Sequence, residues 1–150
     1  MTILEALQWA NNKLKKVGIE SPMLDAEILL ASVLVVSKSW LFGHITDDLK
    51  SHQEEKFCLL IDRRMKHEPI AYLIQQKEFY GRHFFVDPSV LIPRPATESL
   101  IEHALNTFSQ SDPEKTLFVD VGTGSGAIAV TLAAETHTPV LAIDVDEHAL

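Results

Sequence analysis

Apolar residues in the first 70 positions recur at helical spacing, whereas those nearer the end fall into short unbroken runs. Leu4, Leu7, Ala10, Leu14 and Val17 follow a capping box made by Thr2 and Glu5, and Gly18 supplies a stop, which predicts a first helix. Ser21 and Pro22 give an N-cap and a first-turn proline to a second helix, carried by Leu24, Ile28, Leu29 and Val33. A short helix is expected over residues 38–42. A longer one is expected over about residues 51–66, with Phe57, Leu60, Ile61 and Met65 on one face and Pro69 ending the pattern. Trp9 and Trp40 read as packing residues rather than binding platforms. The apolar run over residues 28–36 is about half the length a membrane-spanning helix needs and reads as a buried helix face.

Beyond Pro69 the period changes. Residues 79–80 and 84–86, with Gly81 and Arg82 between them, predict a short hairpin. Pro93 and Pro95 fix the backbone after Ile92, so a sharp turn should precede a helix over about residues 96–108. Arg94, Thr97 and Glu98 then fall at a helix start. Thr97 and Glu98 read equally as caps or as ligand-facing groups, and Arg94 as a local ion-pair partner or a substrate-groove residue.

Residues 117–126, LFVDVGTGSG, carry the strongest chemical signal. Leu117, Phe118, Val119 and Val121 suit a buried parallel strand ending beside Asp120, and Gly122, Gly124 and Gly126 let a ligand approach the backbone. The helical run that follows turns its N-terminal N–H groups toward that loop. A second apolar run, residues 140–143, ends at Asp144, about 20 residues on, where a nucleotide-binding β-α-β unit keeps its ribose-binding carboxylate. An adenosine-containing cofactor is therefore expected, with Asp120, Gly122, Thr123, Gly124, Ser125, Gly126 and Asp144 around it. Gly122, Gly124 and Ala127 also satisfy the looser dinucleotide pattern, and Asp144 alone also reads as a helix cap.

Composition narrows the partners. The 150 residues are 46% hydrophobic with a formal net charge of −8, which argues against general affinity for nucleic-acid backbone. Arg63, Arg64, Lys66, Arg82 and Arg94 remain close enough in sequence to form a local basic patch. The lone Cys58 reads as a packed thiol in a reducing compartment, and seven histidines show no metal-ligand spacing. The first residues read as neither signal peptide nor membrane anchor, so a cytoplasmic protein is expected.

Several segments in order resemble one family. Residues 91–105, LIPRPATESLIEHAL, resemble the IPRPxTE signature of the HemK/PrmC family of protein glutamine N5-methyltransferases. Residues 63–87 resemble the same family's R-x(4)-P-x-x-Y-x-x-G-x-x-E-F stretch, and the likeness runs on through DVGTGSGAIA to AIDVDEHAL. Gln75 stands where the family usually has glycine, and Ala96 where it usually has glutamate.

The resemblance implies an α/β protein. A helical substrate-recognition domain over residues 1–70 and a hairpin linker over 71–92 would precede the start of a Rossmann-like class I methyltransferase domain over 93–150. It further implies S-adenosyl-L-methionine as cofactor and the glutamine of the GGQ loop of class I peptide chain release factors as acceptor. The family's N-P-P-Y acceptor motif does not occur in residues 1–150 and is expected after Leu150, so no catalytic residue is assigned within this stretch. The natural protein is expected to be longer and this stretch to be inactive alone. Two other readings remain open: an adenine-N6 nucleic-acid methyltransferase, and a non-catalytic helical binding module should the chain be complete.

Overall fold

The computed structural model describes residues 1–149 and divides the chain into two compact units, Met1–Ile74 and the residues from Gln75 onward. Leu150, the point after which the acceptor motif is expected, lies outside the described residues. Within the first unit, α1 (Ile3–Lys16), α2 (Pro22–Leu34), α3 (Lys38–Gly43), α4 (Ser51–Arg64) and α5 (Ile70–Ile74) surround one apolar core. The expected capping box starts α1: Glu5 N–H donates to Thr2 Oγ1, and Thr2 N–H donates to Glu5 Oε2. Its buried stripe is Ile3, Ala6, Leu7, Ala10 and Leu14, whereas Leu4, which fits the same helical spacing, is exposed. The spacing of three and four residues fits either stripe, and a rotation of about 100° per residue separates them. Leu24 on α2 is likewise exposed, while Ala26, Leu29 and Leu30 are buried.

Two other expectations need correction. Trp9 packs against the core with its ring 6.3 Å from that of Phe57, but Trp40 lies at the surface, stacked 3.6 Å from His44. Pro69 does not end helical structure; its carbonyl accepts from Tyr72 and Leu73 N–H and so opens α5. A proline at a helix start loses nothing, because the N–H it lacks would have no helical partner there.

In the second unit the hairpin joins β1 (Gln76–Phe79) to β2 (Arg82–Phe85), three residues earlier than expected at its first strand. Its turn residues, Tyr80 and Gly81, have φ of 50° and 71°, both positive as a two-residue I′ turn requires. A 3₁₀ turn (Pro95–Thr97) leads into α6 (Glu98–Phe108), and Thr97 makes no side-chain cap. The apolar runs form β3 (Phe118–Val121) and β4 (Val140–Ile143), paired in parallel with α7 (Ala127–Thr136) between them in sequence. Phe79, Phe84, Ile101, Ala127 and Leu132 make this unit's core, so the hairpin expected as a linker lies inside it. On the strands, alternate residues differ sharply. Val119, Val121, Leu141 and Ile143 are exposed and pair directly across the sheet, leaving one apolar sheet face open.

Candidate functional site

The site is built where β3 ends. The N–H groups of Gly122 and Thr123 both donate to the carbonyl of Ile143, at 2.7 and 3.0 Å, tying the loop to the end of β4. Gly122 has φ of 79° with nothing near the position of an added Cβ, so the backbone angle and not space selects glycine there. Gly124 has φ of 52° and its N–H donates to Asp144 Oδ2 at 2.7 Å. Gly126, also left-handed, caps the N-terminus of α7.

The two carboxylates divide the loop between them. Asp120 Oδ2 accepts from Thr123 Oγ1 at 2.8 Å and from Ala129 N–H at 3.2 Å, pinning the loop to the first turn of α7. Asp144 accepts from Gly124 N–H on one oxygen and from Asp146 N–H on the other, and these backbone donors hold its carboxyl below the ordinary carboxylate value. Each carboxylate oxygen has two lone pairs, so Asp144 keeps acceptor capacity for hydroxyl groups while it fixes the loop.

The glycine loop forms one wall of an open groove of about 180 Å³. Gly122, Thr123, Gly124 and Ser125 line it together with Phe79, Leu91, Pro93, Arg94, Thr97 and Ile128 of α7. The structure thus brings Arg94 and Thr97 beside the loop. Glu98 is not among the lining residues, and its Oε1 accepts from Tyr80 N–H at 3.0 Å. A second concavity of about 200 Å³ borders the loop at Gly124 and Ser125, lined also by Phe85, Asp87, Val90 and His148. Phe79, Leu91, Pro93 and Ile128 are groove residues that the sequence reading did not single out. The signal was present for Pro93, whose fixed backbone bends the segment toward the loop.

Three of the five residues of the expected basic patch are paired with carboxylates inside their own units. Arg63 pairs with Glu68, Arg64 with Asp25 at 2.7 Å, and Arg82 with Glu135 at 2.8 Å. Residues 75–150 contain eleven Asp and Glu against four Lys and Arg, a net charge of −7 out of the chain's −8. Among the described residues no three His, Cys, Asp or Glu side chains gather as a metal site, and no helix is long and apolar enough to cross a membrane.

Comparison with known proteins joins this geometry to a family. Residues 5–74 match the PrmC N-terminal domain. The helical unit thus carries a PrmC N-terminal domain, and the whole chain is similar to release factor glutamine methyltransferases. It is 41% identical to the release factor glutamine methyltransferase of Coxiella burnetii over all of this chain and 53% of that protein. It is 41% identical to the protein of the same name from Dictyoglomus turgidum, over 97% of this chain and 51% of that one. A bifunctional methyltransferase of Rickettsia typhi is 40% identical over 99% of this chain and 32% of its own length. The chain therefore spans about half the length of the curated release factor glutamine methyltransferases that it matches. The matched residues lie within the helical unit, and the glycine-loop groove lies beyond them, in the part covered by the whole-length likeness alone.

Proposed function

We propose that this chain is part of an S-adenosyl-L-methionine-dependent methyltransferase acting on the side-chain amide nitrogen of the GGQ glutamine in class I peptide chain release factors. The observation that carries the reading is the Gly124 to Asp144 bond. It presents a glycine backbone and a carboxylate together at the ends of two parallel strands, where α/β sheets bind ligands. That its relatives are release factor glutamine methyltransferases favours a release-factor glutamine as acceptor over the adenine-N6 reading.

The residues present suit such a cofactor. Asp144 would accept the ribose hydroxyls, Gly122 to Gly126 would wrap the methionine portion, and Leu91 and Ile128 offer apolar surface. Asp120 holds the loop in shape through Thr123 and Ala129. The strongly acidic second unit complements a cation and would draw it to the groove. When bound, the cofactor supplies an activated methyl group on a cationic sulfur. The chain's own task is then to hold donor and acceptor aligned and to exclude water. At about 180 Å³ the groove is smaller than the ~300–1,000 Å³ common for ligand sites, so the adenine-covering and acceptor-orienting parts would come from elsewhere, in the sequence after Leu150. We assign no catalytic residue within residues 1–150, and the protein is read as cytoplasmic, like its proposed substrates.

The test is mass spectrometry of an unmethylated release factor incubated with the full-length protein and S-adenosylmethionine. A single added methyl on the GGQ-containing peptide supports the reading. Methylation of DNA adenine with an unchanged release factor overturns it.

A further inference from the structure

The hairpin turn carries more anchors than a two-residue loop needs. Tyr80 N–H donates to Glu98 Oε1 at 3.0 Å, and Tyr80 Oη donates to Glu102 Oε1 at 2.6 Å. Glu98 and Glu102 stand four residues apart on one face of α6, so a single tyrosine spans both. On the opposite strand Arg82 donates to Glu135 of α7 at 2.8 Å and to the Tyr80 carbonyl at 3.3 Å. The turn is thereby fastened to both helices that flank the groove.

What the turn carries is a groove wall. Phe79, immediately before Tyr80, lines the groove and is 1% exposed, with its ring edge-on to Phe84. Thr97, immediately before Glu98, lines the groove at the start of α6. The Tyr80 to Glu98 bond therefore joins two wall residues that are 18 positions apart in sequence, without itself entering the groove.

We propose that Glu98 is a positioning residue: through Tyr80 it fixes the Phe79 wall relative to the Arg94–Thr97 segment, and so sets the width of the cofactor groove. This rests on the S-adenosylmethionine reading given above. Glu98 acts as a hydrogen-bond acceptor rather than as a charge, so Glu98→Gln, which keeps a carbonyl oxygen, should serve nearly as well. Tyr80→Phe removes the Glu102 bond alone and keeps the ring.

The experiment uses the full-length protein and two readouts, amide hydrogen exchange at Tyr80 and Gly81, and steady-state kinetics with S-adenosylmethionine varied. Glu98→Ala should speed exchange at Tyr80 and raise KM for S-adenosylmethionine about tenfold while kcat stays within about twofold, the size of one lost hydrogen bond. Glu98→Gln should restore both. Unchanged exchange in Glu98→Ala overturns the clasp whatever the ligand. Faster exchange with unchanged KM overturns its link to the groove. A Gln variant as impaired as the Ala variant shows that the charge touches the ligand directly, which also overturns the proposal. A wild-type protein that neither binds nor uses S-adenosylmethionine defeats the cofactor reading instead, and the exchange data still decide whether the clasp exists.

Discussion

Gly124 and Asp144, twenty residues apart in sequence, meet through a 2.7 Å bond from the glycine N–H to the aspartate Oδ2. One carboxylate thus shapes the loop at the ends of both parallel strands. Asp144→Ala in the full-length protein should weaken S-adenosylmethionine binding by roughly 10- to 100-fold, since charge-assisted bonds to hydroxyls and to the loop N–H are lost together. Calorimetric titration checks this, and an unchanged dissociation constant would return Asp144 to a capping role. The sign of the pH dependence is fixed by the same bonds. The folded carboxyl lies below its ordinary value, so its contribution is present above the unfolded pKa of 3.8 and fades as pH falls through the lower folded one. From about pH 5 to 8 the loop should therefore show no pH dependence from this group.

Gln75 has φ of 53°, in the left-handed region, at the position where relatives of this family usually carry glycine. A non-glycine residue there costs about 1–2 kcal/mol, against about 0.5–1 kcal/mol for the extra freedom of an unfolded glycine. Gln75→Gly should stabilise the chain by about 0.5–1 kcal/mol, read as a higher midpoint in urea. A lower midpoint would show that the glutamine side chain contributes contacts that outweigh its backbone strain.

The helical unit should fold alone. Residues 1–74 contain their own core and an ion pair, Asp25 with Arg64, that ties α2 to the end of α4. Asp25 is 8% exposed, so Asp25→Ala would leave Arg64 without its carboxylate and should cost about 1.5–3 kcal/mol. Circular dichroism melts of residues 1–74 with and without the substitution test both statements. A disordered spectrum of the wild-type segment counts against independent folding.

The glycine loop, the parallel strand pair and the first capping box were legible because each depends on local chemistry: φ angles that glycine permits, apolar runs, and reciprocal side-chain caps. The burial stripes were not, since Leu4 and Leu24 fit helical spacing as well as their buried neighbours, and only tertiary packing chooses between adjacent faces. Groove residues such as Phe79 were hidden for a similar reason. Its place in the hairpin is local, but its nearness to Gly122 and Thr123 comes from chain positions some forty residues apart.

The open sheet face has a consequence for the 150-residue chain on its own. Val119, Val121, Leu141 and Ile143 form a cross-strand apolar patch, with Val121 77% exposed. The isolated chain should bind a hydrophobic dye such as ANS, and Val121→Glu with Leu141→Lys should reduce that binding. Dye fluorescence no higher than that of a monomeric globular control would contradict the exposure. The same chain should transfer no methyl group to a release factor, because the acceptor-orienting part expected after Leu150 is missing from it.

Cofactor identity is read by equilibrium titration of the full-length protein. S-adenosylmethionine should bind at a single site per chain, be displaced by S-adenosylhomocysteine, and lose affinity when Gly122 is replaced by alanine. NAD should not compete. Binding of NAD with no measurable affinity for S-adenosylmethionine would contradict the account and make the glycine loop a dinucleotide site.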